Sequence, residues 1–274
     1  MTWVVGASSI LGYGVMISDV RITFADGTQS DMLRKVYPMG PWMLAGFAGS
    51  VRVGMTLLDS LQRSLEAIIP PDRRDGHSFV FNPDAIAEQW GPHAADIFAR
   101  MPQEEQALGS QILLVGVNNP PPANPLPPNA RQLPHVHIIK FSWPHFEPQP
   151  AEERWTAQHI GSGANIDRFV RVVGEFFQLE NGTLQAEITP GGWGTMLGHS
   201  IGRIVQQNPV DGIGAYVNID TCYLGGLYKG NNNHRTFPPD GTIINFEMPR
   251  IAENYEEFLA MCGERGKAAA GAIG

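Results

Sequence analysis

Thiols are scarce in this chain, with Cys222 and Cys262 the only two in 274 residues. They lie far apart and match neither a disulfide framework nor a zinc spacing. A reducing, cytoplasmic setting is the simpler reading, with both as small core residues. Basic residues form no cluster, and the formal charge is −8. That balance argues against nucleic acid and anionic membrane as partners, whose affinity rests largely on basic patches. Long apolar runs are missing too, since no segment approaches the roughly 20 unbroken apolar residues of a spanning helix. Residues 1–17 carry no charge, but they lack the positive start and small-residue cleavage site of a signal peptide, and Gly12-Tyr13-Gly14 interrupts them. Neither GxSxG, nor a P-loop, nor HExxH occurs, which leaves a serine-triad hydrolase, a nucleotide-hydrolysing chain and a zinc protease unsupported. His135 and His137 share a strand face without a third ligand nearby, so no metal and no cofactor is expected. The sequon Asn181-Gly182-Thr183 has no force without a secretory signal.

What is present describes a folded protein rich in turns: 43% hydrophobic, 17% charged, Gly 31 and Pro 22. Trp3 to Ala7 and Gly14 to Ser18 predict an antiparallel hairpin, so the N-terminus is built into a sheet. Asp26-Gly27 marks a turn in a polar stretch, followed by strands over 34–38 and 42–48. Ser50 caps a helix whose apolar positions Val51, Leu58, Leu61, Leu65 and Ile68 recur at helical spacing up to Pro70-Pro71. Asn82-Pro83 opens a second helix that Pro92 breaks or kinks. Strands over 111–117 and 135–141 form a hairpin around a proline-rich insertion at 118–134, an extended, solvated loop. A strand over 154–160 closes on Gly161-Ser162-Gly163, and a helix follows with Ile166, Phe169, Val170, Val173 and Phe177 on one face. Gly194, Gly198 and Gly202 form a bare stripe on the next helix that lets a neighbouring element approach closely. Strands over 213–219, 223–228 and 242–248, a loop at 230–233, a helix over 253–262 and a partly disordered tail at 263–274 complete the reading. No repeat or composition shift divides the chain, so residues 1–274 read as one domain. The order of elements predicts an α+β sandwich of two antiparallel sheets packed face to face with helices outside.

Thr2 is the chemically distinctive residue. Loss of Met1 gives it a hydroxyl and a free α-amine, a nucleophile and a base on one residue, and the amine's reference pKa is about 7.7 to 8.0. A nearby ammonium favours the neutral amine and the developing alkoxide, and needs a carboxylate to hold it. Lys35 and Asp19 are the candidates.

Four stretches, Thr2 to Gly6, Ser18-Asp19-Val20-Arg21, Arg34 to Tyr37 and Ala45-Gly46-Phe47-Ala48-Gly49, together resemble the front of a proteasome β-type subunit. The resemblance is nearest to the HslV-type peptidase and related bacterial proteasome homologues. It covers residues 2–66 and returns at Gly161-Ser162-Gly163. It implies a four-layer αββα N-terminal-nucleophile (Ntn) hydrolase fold. It also implies Thr2 as nucleophile, Lys35 tuning its protonation, Asp19 orienting Lys35, and Arg21 supporting that network. Gly46 would be the backbone oxyanion donor, Ser162 would sit near the terminal amine, and Asp211 would match a later family aspartate. The family's serine three residues after that aspartate is replaced by Gly214.

The function implied is a threonine-type peptidase that acts through an acyl-enzyme on Thr2. Stacked homo-oligomeric rings around an interior chamber would receive peptide or unfolded protein, with an ATPase partner feeding substrate. Two alternatives stay open: a proteasome-like ring with little activity that acts as a scaffold, and an Ntn amidase on a small amide.

Overall fold

The computed structural model describes residues 2–9, 11–40, 42–68, 83–118, 133–151, 156–178, 190–231 and 247–264. Its N-terminal strands are β1 (Val4–Ser8) and β2 (Gly14–Asp19), a hairpin pairing Val4 with Ser18 and Ser8 with Gly14. Beside β2 runs β11 (Val217–Tyr223), followed by β12 (Gly226–Asn231), while β10 (Ala157–Ile160) flanks β1; the order is β10-β1-β2-β11-β12. Both faces of β1 are buried, which explains its nearly unbroken apolar sequence. On one face Trp3, Val5 and Ala7 join Val15, Ile17, Phe169, Leu197 and Ile201 in one core, and on the other Val4 and Met16 join a larger second core.

That larger core lies against a second sheet of β5 (Val36–Gly40), β6 (Met43–Gly49), β7 (Ser110–Asn118), β8 (His135–Ser142) and the two-residue β9 (Gln149–Pro150), paired antiparallel in that order. The two sheets meet where a Cβ on Gly6 would come within 2.9 Å of Leu113 and Val115 of β7. Helices α1 (Val51–Ile68) and α2 (Pro83–Ala99) pack against the second sheet, and α5 (Pro190–Gln207), with α4 (Asp167–Gln178) beside it, packs against the first. A short α3 (Gln103–Ala107), a final α6 (Tyr255–Glu264), and a small sheet of β3 (Arg21–Thr23) and β4 (Gln29–Asp31) complete the described elements. The class is α+β, with three antiparallel sheets and six α-helices among the described residues. No helix among them is long and apolar enough to cross a membrane.

Local signals explain most boundaries. Ser50 caps α1 by accepting the Val53 N–H at 3.1 Å, and Gly54 lets α1 settle on β6, since a Cβ there would lie 2.2 Å from the Phe47 ring. The glycine stripe of α5 meets β11, where Cβ atoms on Gly194 and Gly198 would press on Thr221 and Ile219 at 2.8 and 2.4 Å.

Several boundaries differ from those the sequence predicts. Helix α2 runs through Pro92 because Trp90, Ala94 and Phe98 on both sides of it are buried, and that packing offsets a proline cost of about 3 kcal/mol. Strand β5 starts at Val36 rather than residue 34, because the Arg34 N–H bonds to Ala252 O instead of joining the ladder. Strand β11 starts at Val217 rather than residue 213: Ile213 is taken up in a bridge with Val210 around a turn at Gly212, whose φ is +74°. Tyr223 ends β11, residues 224 and 225 turn into β12, which continues to Asn231 through the first two residues of the expected loop, and α3 had no predicted counterpart. Residues 247 and 248, the last two of the strand expected over 242–248, are not in a strand. Its first five residues, the sequon, the core of the proline-rich insertion (119–132) and the tail from residue 265 lie outside the described residues.

Candidate functional site

Thr2 sits one residue before Trp3, and Trp3 fixes where the chain enters the sheet. Its indole stacks on Phe169 with ring centroids 4.6 Å apart and donates to His159 Nδ1 at 3.1 Å. Burial, with Lys140 adding a smaller push, lowers the pKa of His159 to about 4, so its ring accepts as a neutral imidazole. The Thr2 carbonyl accepts the Gly163 N–H at 3.1 Å. Gly161 adopts φ +81°, and a Cβ there would lie 2.3 Å from Thr2 O, so the turn after β10 closes over Thr2 only with glycine.

The end of β2 brings Asp19 beside this segment. One of its oxygens accepts the Trp3 N–H at 2.8 Å, and the other accepts the backbone N–H groups of Arg21 at 3.1 Å and Gly214 at 3.4 Å. Lys35, fully buried just before β5, donates to both Asp19 oxygens at 3.1 and 3.2 Å, to Thr2 Oγ1 at 3.1 Å, and to the Arg21 carbonyl. Complete burial pushes its pKa below the usual lysine range, and Asp19 opposes that shift. Thr2, Asp19 and Lys35 therefore converge as one hydrogen-bonded group.

A cleft of about 170 Å³ opens at Thr2, lined also by Ala48, Gly49, Leu108, Gly109, Ser110, Gln111, Trp143, Gly161 and Ser162. Ser162 thus shares a wall with Thr2. No family model matches this chain, and none of the curated proteins matches it.

The other expected site residues take different places. Gly46 lies mid-strand in β6, paired with Val36 and Leu113, and a Cβ there would touch Met16 and Val36 at 3.0 Å. Phe47 N–H bonds to Lys35 O on the β5 side, so strand alternation sends the Gly46 N–H to the β7 side, inside the sheet. Gly46 is therefore not at the cleft. Gly49 is the glycine that borders it: its N–H lies on the β5 side, beyond the first residue of β5. Its φ is +105°, with Gly109 O 2.4 Å from where a Cβ would be. The Ala48-Gly49 pair ahead of helix α1 was the available signal.

Arg21 supports the group through its backbone N–H and carbonyl, while its guanidinium forms a fork with Asp31 at 2.8 and 2.9 Å. Arg21 and Asp31 are register partners in the β3–β4 hairpin, equidistant in sequence from Asp26, so the turn dipeptide was a clue to this pair. Gly214 leaves room for it, since a Cβ there would lie 2.6 Å from Asp31 Oδ1. Asp211 accepts from the Gln29 amide on the surface. Gln111, which no sequence motif marks, braces the cleft by accepting the Gly161 N–H at 2.8 Å. Among the described residues no group of three His, Cys, Asp or Glu side chains is placed to hold a metal.

Proposed function

We propose that this protein is a threonine-type Ntn hydrolase of the proteasome-like kind, with the αββα layering of that fold, cleaving peptide bonds from Thr2 once Met1 has been removed. The observation that carries the reading is the 3.1 Å contact between Lys35 Nζ and Thr2 Oγ1, with the same ammonium clasped by Asp19. The Thr2 hydroxyl attacks the scissile carbonyl carbon while its proton passes to the freed α-amine, directly or through one water. Lys35, its pKa lowered by burial, stabilises the alkoxide as it forms. The Gly49 N–H takes the oxyanion role that the family resemblance implies for Gly46. Collapse of the tetrahedral adduct breaks the C–N bond and returns the proton to the leaving amine. Water then hydrolyses the ester on Thr2 and restores the hydroxyl.

Stacked homo-oligomeric rings, an ATPase partner and a cytoplasmic setting belong to the same proposal. Intact mass of the protein from its host is expected to show loss of one Met, and a β-lactone directed at N-terminal threonine is expected to add its mass at Thr2. Met retained in full, or an adduct that survives Thr2→Ala, overturns the reading. Labelling without turnover of peptides points to the small-amide alternative, and neither labelling nor turnover points to the scaffold.

A further inference from the structure

The mechanism makes no use of the residue next to Lys35. Arg34 is almost fully buried, and its guanidinium pairs with Asp220 of β11, itself fully buried, and reaches Glu253 at 3.6 Å. Its Nε also donates to Val36 O at 2.7 Å, so the side chain spans Lys35 and pins the peptide on its far side. On the near side, the Arg34 carbonyl accepts the Tyr37 hydroxyl at 2.5 Å and the Arg34 N–H bonds to Ala252 O at 3.1 Å. Lys35 O accepts the Phe47 N–H at 3.1 Å. The backbone flanking Lys35 is thus tied from three directions: the interior of the first sheet, β6, and the segment leading into α6.

We propose that Arg34, anchored by Asp220 and Glu253, is a positioning residue for Lys35. A lysine side chain has four rotatable bonds, and its ammonium must stay within hydrogen-bond reach of Thr2 Oγ1 and both Asp19 oxygens at once. Fixing the peptides on both sides fixes the direction in which the Lys35 stem leaves the chain, leaving only the stem to be ordered. Arginine suits the task because its planar guanidinium holds a carboxylate and a carbonyl in a fixed relative geometry, whereas an ammonium is a point charge on a flexible stem. Asp220 supplies a fixed anchor from the first sheet, and Glu253 ties in the segment before α6.

The kinetic part of this inference rests on the Thr2 reading, and the test separates the two. The full chain with Met1 removed is treated with the β-lactone, and adduct formation is followed by intact mass across pH. In parallel, the Lys35 Cε resonance is titrated by NMR, with Asp19, Arg21 and Asp31 as the charged groups that set its titration. Arg34→Met is expected to slow acylation by roughly 10²-fold, because a misplacement near 1 Å has that effect. The half-saturating probe concentration is expected to change little, and the Lys35 titration to move. Arg34→Lys is expected to recover part of the rate. If Arg34→Met does not fold, Asp220→Asn provides the same readouts. Wild-type acylation together with an unchanged rate and pH profile in the folded variant overturns the inference alone. A wild type that never acylates overturns the Thr2 reading. The Lys35 titration then decides the inference, a displaced curve supporting Arg34 as positioner and an unchanged one overturning it.

Discussion

Two buried ion pairs lie on consecutive residues of this chain, and their surroundings differ. Lys35 and Asp19 are enclosed by backbone: three N–H groups bond to the carboxylate, and the ammonium reaches a hydroxyl bordering a cleft. Arg34 and Asp220 have one another, Glu253 and one backbone carbonyl, Val36 O, while Asp220 Oδ2 has no hydrogen-bond partner among the described residues. Burial pushes Asp220 up to about 6 despite the arginine beside it. The first pair is held by donors that no side-chain substitution removes, so it suits chemistry. The second carries an incompletely satisfied charge whose use is geometric.

The largest expected effect comes from breaking the first pair. Lys35→Met leaves Asp19 buried without its cation, at a cost of about 3–5 kcal/mol in urea unfolding, and abolishes acylation at Thr2. Double replacement sharpens the contrast. Arg34→Met with Asp220→Leu is expected to return to within about 1 kcal/mol of wild-type stability, since apolar residues often replace a buried ion pair without loss. Acylation stays slow in that protein. Lys35→Met with Asp19→Leu stays unstable, because the N–H groups of Trp3, Arg21 and Gly214 lose their acceptor at about 1–3 kcal/mol for each one left buried. Equal recovery in both doubles breaks the comparison.

Acid titration gives a smaller, signed effect. His159 has a folded pKa near 4, below its ordinary 6.5, so the stability it contributes is present above 6.5 and lost as pH falls toward 4. Asp220 is raised from 3.8 to about 6, so its contribution is full below 3.8 and lost as pH rises through 6. Urea unfolding at stepped pH is expected to show the rise with pH vanish in His159→Gln and the fall vanish in Asp220→Asn. The smallest effect belongs to an exposed pair on α1: Arg63→Ala, which removes the 2.8 Å contact to Asp59, is expected to change stability by less than about 0.5 kcal/mol.

Much of the fold was legible because its signals are local. The hairpin of β1 and β2, the cap and stripe of α1 and the apolar runs of β7 and β8 each follow from periodicity or turn residues within a few positions. Boundaries failed where a distant partner intervened, as when Ala252 drew Arg34 out of β5. In the candidate site, Thr2, Asp19, Lys35 and Ser162 are legible as candidates in the sequence pattern, whereas the places of Gly49, Gln111 and Asp31 are not. Gly46 and Gly49 lie three residues apart on one strand, and only the register of β6 against β5 and β7 says which one borders the cleft.

By itself the sequence determined most of the element types, an apolar first strand, and the pattern of residues around Thr2 on which the proposed reading rests. Apolar spacing and turn chemistry act over a few residues and are written in the order of the chain. The tertiary structure alone decided that Lys35 reaches both Asp19 and Thr2, that Arg21 acts through its backbone, and that Arg34 is locked to Asp220, 186 residues away. Those contacts depend on sheet register and on which face of each strand meets the other sheet, and a one-residue slip would send every side chain involved to the opposite side.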